Sequence, residues 1–584
     1  MDVEGKSQRA LSWPRAIGGT LARLRRDQSG GAGLIFALVA IMVLIPMVFV
    51  GTNLFIAVGQ HAKLQDSLDA ATLFVARSRI TDEAELAAMG ERALRANLEL
   101  VGGAENVQLL EASFVLVEDE DGERIVGSAK VKPWVPVTWC KVHSTDPWCF
   151  TSRPIGASTT VVRAVDKIEV ALVLDNTGSM NQENPTRISI LKTEAAKLVD
   201  SLAAIGHETG DVKISLVPFS NTVRVVESVD LDSYNPNNPT ASGVPDFIDP
   251  VARSMGGNSC GGNTNGNNGG AYNLFDCAAD RFALMKAIGE DWKGCVESRH
   301  EDYDISEAGS DNNWKSRFVP YFWPDHVDAA SHTSTNDYLR DIDTGASNKN
   351  QYRTEQKRTA KYTNSRWHAN RKGNTFSLGS GFGGPYNFGP NAGCELQPLI
   401  RLTTNAETVK TAIGKMNAIG QTHIPIGLVW GWHTLSPANV GPYGDGADYD
   451  SQETKKFIIL MTDGDNTNLI PSPNQAYNTY NESYYGGYGF TWQRILKGLD
   501  TSNTGDRQEA MDERLIELCD AIKAKGIIIY TIGVVASANS QEKLSNCASK
   551  LRGQTLYFDV SKTSDLGPVF QKIAGQISQM RIAH

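Results

Sequence analysis

The sequence predicts an α/β protein built on a doubly wound, mostly parallel sheet. Three observations carry this. Two apolar runs, residues 170–174 and 457–461, have the length and β-branched content of buried strands. Amphipathic stretches of helical length alternate with such runs over residues 166–584, the pattern of right-handed strand–helix–strand crossovers. Each of the two runs ends in a carboxylate, Asp175 or Asp463, at the strand edge where open α/β sheets bind ligands.

Taken in order, the chain opens on a basic tail, residues 1–32, and the first 60 residues hold six Lys or Arg against three acids. Residues 33–58 are expected to form a transmembrane helix. No charge interrupts residues 34–58, and about 20 apolar residues span a bilayer core. The basic RLRR at 23–26 puts the N-terminus on the cytoplasmic side and the bulk across the membrane. The alternatives are a signal peptide cleaved near Ala57-Val58-Gly59 and a leader cut near Gly30, the latter opposed by Ile35 standing where such leaders carry Glu. Residues 59–165 read as a stem helix plus a small α+β domain. Leu64, Leu68, Ala71, Phe74 and Val75 mark one helical face running to about Arg79. A second helix is expected over 83–98 and strands over 107–116 and 124–131.

In the remaining domain, helices are expected over 188–205, 407–416, 426–435, 507–525, 541–550 and 564–580, and strands over 212–219, 527–535 and 554–560. Two stretches break the alternation, 234–393 and about 465–505. The first is too long for a plain loop in a compact domain and reads as an insertion holding one short helix over 280–291. Both are rich in Tyr and Trp, residues enriched at interfaces, and are expected either to form a contact surface or to pack the insertion on itself.

A net charge of −10 argues against nucleic acid as partner. The eight cysteines contain no C-x-x-C pair. In an exported chain an even count suggests disulfides, with neighbour pairing favoured, above all Cys140–Cys149 and Cys519–Cys547; buried thiols are the alternative.

The chemistry concentrates in Asp175-Asn176-Thr177-Gly178-Ser179, a D-x-T-x-S spacing at a strand end. Thr422 adds a hydroxyl on a loop before a helix, and Asp463 a second carboxylate. These are hard oxygen ligands suited to Mg²⁺, with Mn²⁺ or Ca²⁺ as alternatives, although the same residue types also make ordinary turns. Here the chain resembles the von Willebrand factor A (vWA) family, whose metal-ion-dependent adhesion site (MIDAS) has the pattern D-x-S-x-S, a distant Thr and a later Asp. The resemblance implies that Asp175, Thr177, Ser179, Thr422 and Asp463 are metal ligands, with Thr177 replacing the usual Ser. It also implies that an acidic side chain of a protein partner completes the coordination.

A closer resemblance joins SGGAGLIFAL at the apolar segment, LVLDNTGSM, WKGCVESR (292–299) and FVPYFWPD (318–325). To these it adds HIPIGLVWGWHTLSP (423–437), MTDGDN and the IYTIGV strand (529–534) between Cys519 and Cys547. Together they resemble a TadG-type protein of Flp/tight-adherence (Tad) pilus assembly. That implies a single-pass protein of a bacterial inner membrane with its bulk in the periplasm, acting in pilus assembly or adhesion with other assembly components. The alternative is a structural, pilin-like or scaffold subunit whose metal site is silent. An enzyme is not expected, because no G-x-S-x-G elbow, H-E-x-x-H pair or P-loop occurs. His423, beside Thr422, is placed either to line the loop or to approach the metal.

Overall fold

A computed structural model describes residues 31–78, 80, 82–102, 108–119, 122–132, 154–162, 167–206, 211–251, 273–276, 279–311, 313–327, 335–341, 346–364, 375–377, 385–451, 453–468 and 480–582. The chain divides into two compact units, Met1–Ala164 and Val165–His584.

In the first unit a helical path runs through α1 (Gly31–Val39), a π-helical turn (Ala40–Leu44) and α2 (Ile45–Ser78). The transmembrane helix expected over 33–58 is therefore not one α-helix. Pro46 lacks the N–H that an α-turn would donate to the carbonyl of Met42, and the path widens just before it. Beyond Val58, α2 turns polar with Gln60, His61 and Lys63. No helix among the described residues is long and apolar enough to cross a membrane. The side chains of Leu34, Phe36, Met42 and Phe55 are all more than half exposed.

Helix α3 (Glu83–Gly102) follows, then an antiparallel sheet of β1 (Gln108–Asp119), β2 (Gly122–Lys132) and β3 (Ile155–Val162), in that spatial order. Leu64, Leu68, Ala71 and Val75 form the predicted stripe and pack with Phe114, Ile125, Ala129 and Val131. Phe74 departs from it and is 52% exposed.

The second unit holds β4 (Lys167–Asp175), α4 (Arg187–Ala203), β5 (Val212–Phe219) and β6 (Val223–Arg224). Then come α5 (Arg281–Ala287), β7 (Cys295–Val296), β8 (Ile400–Thr403), α6 (Ala406–Lys415), α7 (Ile424–Leu435) and β9 (Thr454–Thr462). It closes with α8 (Thr504–Ala524), β10 (Ile528–Val534), α9 (Ala538–Cys547), β11 (Tyr557–Val560) and α10 (Leu566–Ile582). The sheet order is β11-β10-β9-β4-β5-β6-β7, with β8 also paired to β5. The five strands from β11 to β5 are parallel, while β6, β7 and β8 are antiparallel additions. The expected mostly parallel α/β sheet is thus present. The predicted strand over 554–560 splits, with only Tyr557–Val560 joining the sheet.

Side-chain alternation along β4 divides the core. Val170, Leu172 and Leu174 face Leu191, Leu198, Ile413 and Phe570 of α4, α6 and α10. Ala171 and Val173 face α7 and the first insertion. Every residue of α7 is buried. Its closeness to the sheet depends on glycine: a Cβ at Gly431 would lie 2.5 Å from Cγ2 of Val173, and one at Gly427 2.5 Å from the Phe219 ring.

The described insertion aromatics are core, not surface, so of the two expected roles they take self-packing and not a contact face. Trp292, Trp323, Tyr321, Tyr338 and Tyr362 of the first insertion and Tyr485 and Trp492 of the second are almost fully buried. They meet edge to face, as in Phe275–Phe322 and Tyr321–Tyr485, the arrangement ring quadrupoles favour. Tyr477 lies outside the described residues. The predicted Cys519–Cys547 disulfide forms, tying α8 to α9, and Cys295 pairs with its described neighbour Cys394. Cys140, Cys149, Cys260 and Cys277 lie outside the described residues.

Gly431→Ala is expected to lower the unfolding free energy by about 1–3 kcal/mol, because overpacking moves α7 off β4. Urea denaturation checks this through a lower midpoint at an unchanged slope.

Candidate metal centre

Strand β4 sits where the winding of the sheet reverses. The chain steps from β4 to β5 on one side, then returns to lay β9, β10 and β11 on the other. The carboxyl ends of β4 and β9 therefore lie side by side, with Met461 opposite Leu174 in register. Asp175, next after Leu174, and Asp463, two residues beyond Met461, emerge into the same small space, the crevice position for ligands in such sheets.

Four of the five predicted ligands are joined there by hydrogen bonds. Thr177 and Ser179 hydroxyls are 2.9 Å apart. Ser179 donates to Oδ1 of Asp463 at 2.6 Å, and the Thr177 N–H to Oδ1 of Asp175 at 2.7 Å. Thr462 donates its hydroxyl to Oδ2 of Asp175 at 2.6 Å. The fifth, Thr422, stands beside this hydrogen-bonded chain and not in it, on the loop after Gly420. The Gly178 N–H donates to the Gly420 carbonyl at 2.9 Å, and a Cβ on Gly464 would stand 3.8 Å from the Thr422 hydroxyl oxygen. Asp175 and Thr177 are buried, whereas Gly178, Ser179, Gln421 and Gly464 are partly exposed and form an open mouth.

The electrostatics are those of two acids crowded together. Burial, then the charge of Asp463, pushes the Asp175 carboxyl up to about 7. Burial also raises Asp463, opposed by hydrogen bonds from Ser179 and Arg187. A divalent cation bound by these oxygens would favour both ionised forms, so the donor set fits a hard dication. Among the described residues no group of three or more His, Cys, Asp and Glu gathers to hold a metal; the cluster here is two carboxylates with hydroxyls.

Sequence reasoning missed the supports. Arg187, the first residue of α4, donates from Nη1 to Oδ2 of Asp463 at 2.8 Å and from Nε to Glu183 at 2.8 Å. Thr467 exchanges two hydrogen bonds with Thr422, N–H to carbonyl at 2.8 Å and hydroxyl from N–H at 2.9 Å. Asn466 accepts from the Ile424 N–H at the start of α7 at 2.9 Å and donates to Asp512 of α8 at 2.8 Å. The MTDGDNTN run offered the signal for Asn466 and Thr467; nothing local pointed to Arg187 or Asp512.

His423 lies at the loop as expected, and its geometry opposes catalysis. Its Nδ1 accepts from the Ile426 N–H at 3.1 Å, so the proton of the neutral ring sits on Nε2, 3.3 Å from the Ser298 hydroxyl. Burial holds the ring pKa down at about 3. A ring that presents N–H to the serine cannot take its proton.

No family model matches the chain and no curated protein matches it. Among solved structures, the von Willebrand factor domain of the type V pilus tip protein Mfa5 from Porphyromonas gingivalis is 11% identical. It covers 72% of this chain and 97% of that one, with a TM-score of 0.29. The PilB minor pilin from Streptococcus sanguinis is 12% identical, covering 81% and 78% with a TM-score of 0.30. The adhesive tip pilin GBS104 from Group B Streptococcus agalactiae is 11% identical, covering 70% and 100% with a TM-score of 0.28. Likeness at this level carries no weight on what this chain does.

Asn466→Ala is expected to lower the unfolding free energy by about 1–3 kcal/mol, since Asp512 and the Ile424 N–H both lose a buried partner. The drop in thermal midpoint measures it.

Proposed function

We propose that this chain is a divalent-metal-dependent binding module, attached to the bacterial inner membrane and working from the periplasm in Flp/Tad-type pilus assembly or adherence. The observation that carries the metal reading is the hydrogen-bonded chain of Thr177, Ser179 and Asp463 beside the buried Asp175, at the open carboxyl edge of two adjoining parallel strands. Asp175, Thr177, Ser179, Thr422 and Asp463 would hold Mg²⁺, or Mn²⁺ or Ca²⁺. The ion supplies charge toward an acidic side chain of a protein partner, which enters at the partly exposed mouth. The module binds and does not turn over substrate. Membrane attachment is supported by the exposed apolar side chains between Leu34 and Val58 and the basic residues before them. The pilus assignment rests on the sequence motifs shared with TadG-type proteins.

One observation favours the second reading, a scaffold with a silent site. The Arg187 guanidinium already neutralises Asp463, so the fold does not need a metal to balance that charge.

Calorimetric titration of the detergent-purified, EDTA-stripped full chain with MgCl₂ and MnCl₂ separates the two. Saturable binding that disappears in the Asp175→Ala/Asp463→Ala double variant is expected. Absence of binding in the wild type would leave the scaffold reading.

A further inference from the structure

Arg187 stands apart from the other supports because it places a full positive charge where an incoming cation must compete with it. Its side chain is 9% exposed and Asp463's is fully buried. The guanidinium spans two acids, Oδ2 of Asp463 and Oε1 of Glu183, both at 2.8 Å. Glu183 is the more exposed of the two, at 37%, and is held from the other side by the Thr563 hydroxyl at 3.0 Å. Arginine stays charged under all ordinary conditions and its planar fork is matched to carboxylates. Without it, the ion pair's buried carboxylate would be left uncompensated, a strongly destabilising arrangement. With it, Asp463 offers a dication only a carboxylate already claimed on one oxygen by Arg187 and on the other by Ser179.

We infer that Arg187 is the resident counter-cation of this site: it holds Asp463 when no metal is bound, competes with the metal for that carboxylate, and so sets how weakly the site binds divalent ions. The inference rests on the metal reading above and deepens it. Arg187 acts through Asp463 and is a positioning residue. Glu183 gives the guanidinium a second anchor, so it can release Asp463 without being left unpaired. The chain therefore folds without metal and takes it up reversibly. A positive charge within one carboxylate's width of a bound dication repels it, so removing that charge tightens binding even though an orienting contact is lost.

The test uses the full chain in detergent after EDTA treatment, titrated calorimetrically with MgCl₂ and MnCl₂. Arg187→Gln is expected to bind roughly tenfold tighter or better than wild type, and Arg187→Lys, which keeps the charge, to remain close to wild type. In EDTA, Arg187→Gln melts below wild type, and added Mg²⁺ raises its melting temperature by more than it raises that of wild type. Glu183→Gln, a change at a partly exposed residue, gives a second readout that does not depend on folding around a buried site. It binds metal several-fold more weakly, because the guanidinium then commits to Asp463. Equal affinities across wild type, Arg187→Gln and Glu183→Gln, or weaker binding by Arg187→Gln, overturn the inference and leave the metal reading standing. If none of these folded proteins binds either ion, the metal reading fails and this inference falls with it.

Discussion

Two buried carboxylates crowded together are the constraint on which the rest of the second unit depends. Asp175 and Asp463 end neighbouring parallel strands and cannot both be ionised there without compensation. Each compensating group comes from a different element: Thr462 from β9, Arg187 from α4 and Ser179 from the turn after β4. The sheet order fixes the pair, because only the reversal of winding at β4 makes a strand from late in the chain adjacent to the first strand of the domain.

The insertions serve that constraint indirectly. They bury their aromatic residues against α7, and α7 in turn lies on β4 and β5 through Gly427 and Gly431. The loop entering α7 brings Thr422, and its position is fixed by Thr467 and by the Asn466–Asp512 pair. A buried ion pair, Arg281–Glu297, is joined by the Tyr485 hydroxyl and links the two insertions. The aromatic residues thus act on the site from below, through the floor of the sheet.

Much of this was legible from sequence. The strands at β4 and β9 were plain because a run apolar on both faces is what a central parallel strand needs. The five candidate ligands came from the resemblance of the D-x-T-x-S spacing and its later Thr and Asp to the vWA pattern. Helix α7 was found, but not that all its residues are buried, since periodicity vanishes in a helix covered on every side. The role of the insertion aromatics stays open in the sequence because Tyr and Trp suit both interfaces and cores, and only tertiary packing decides between them. Arg187 and Asp512 carried no local signal; their importance lies in partners 276 and 46 residues away. The apolar segment was expected as one helix, and the π-helical turn before Pro46 divides it.

The most direct measurement is anomalous scattering from crystals of the full chain soaked in MnCl₂. The account predicts one strong peak between the Asp175 and Asp463 carboxylates, within about 2.0–2.3 Å of the Ser179 hydroxyl oxygen, and none there in Asp175→Ala crystals. A crystal with that crevice free of lattice contacts and no peak in it, or a peak only elsewhere on the surface, would contradict the claim that this edge of the sheet is a metal centre.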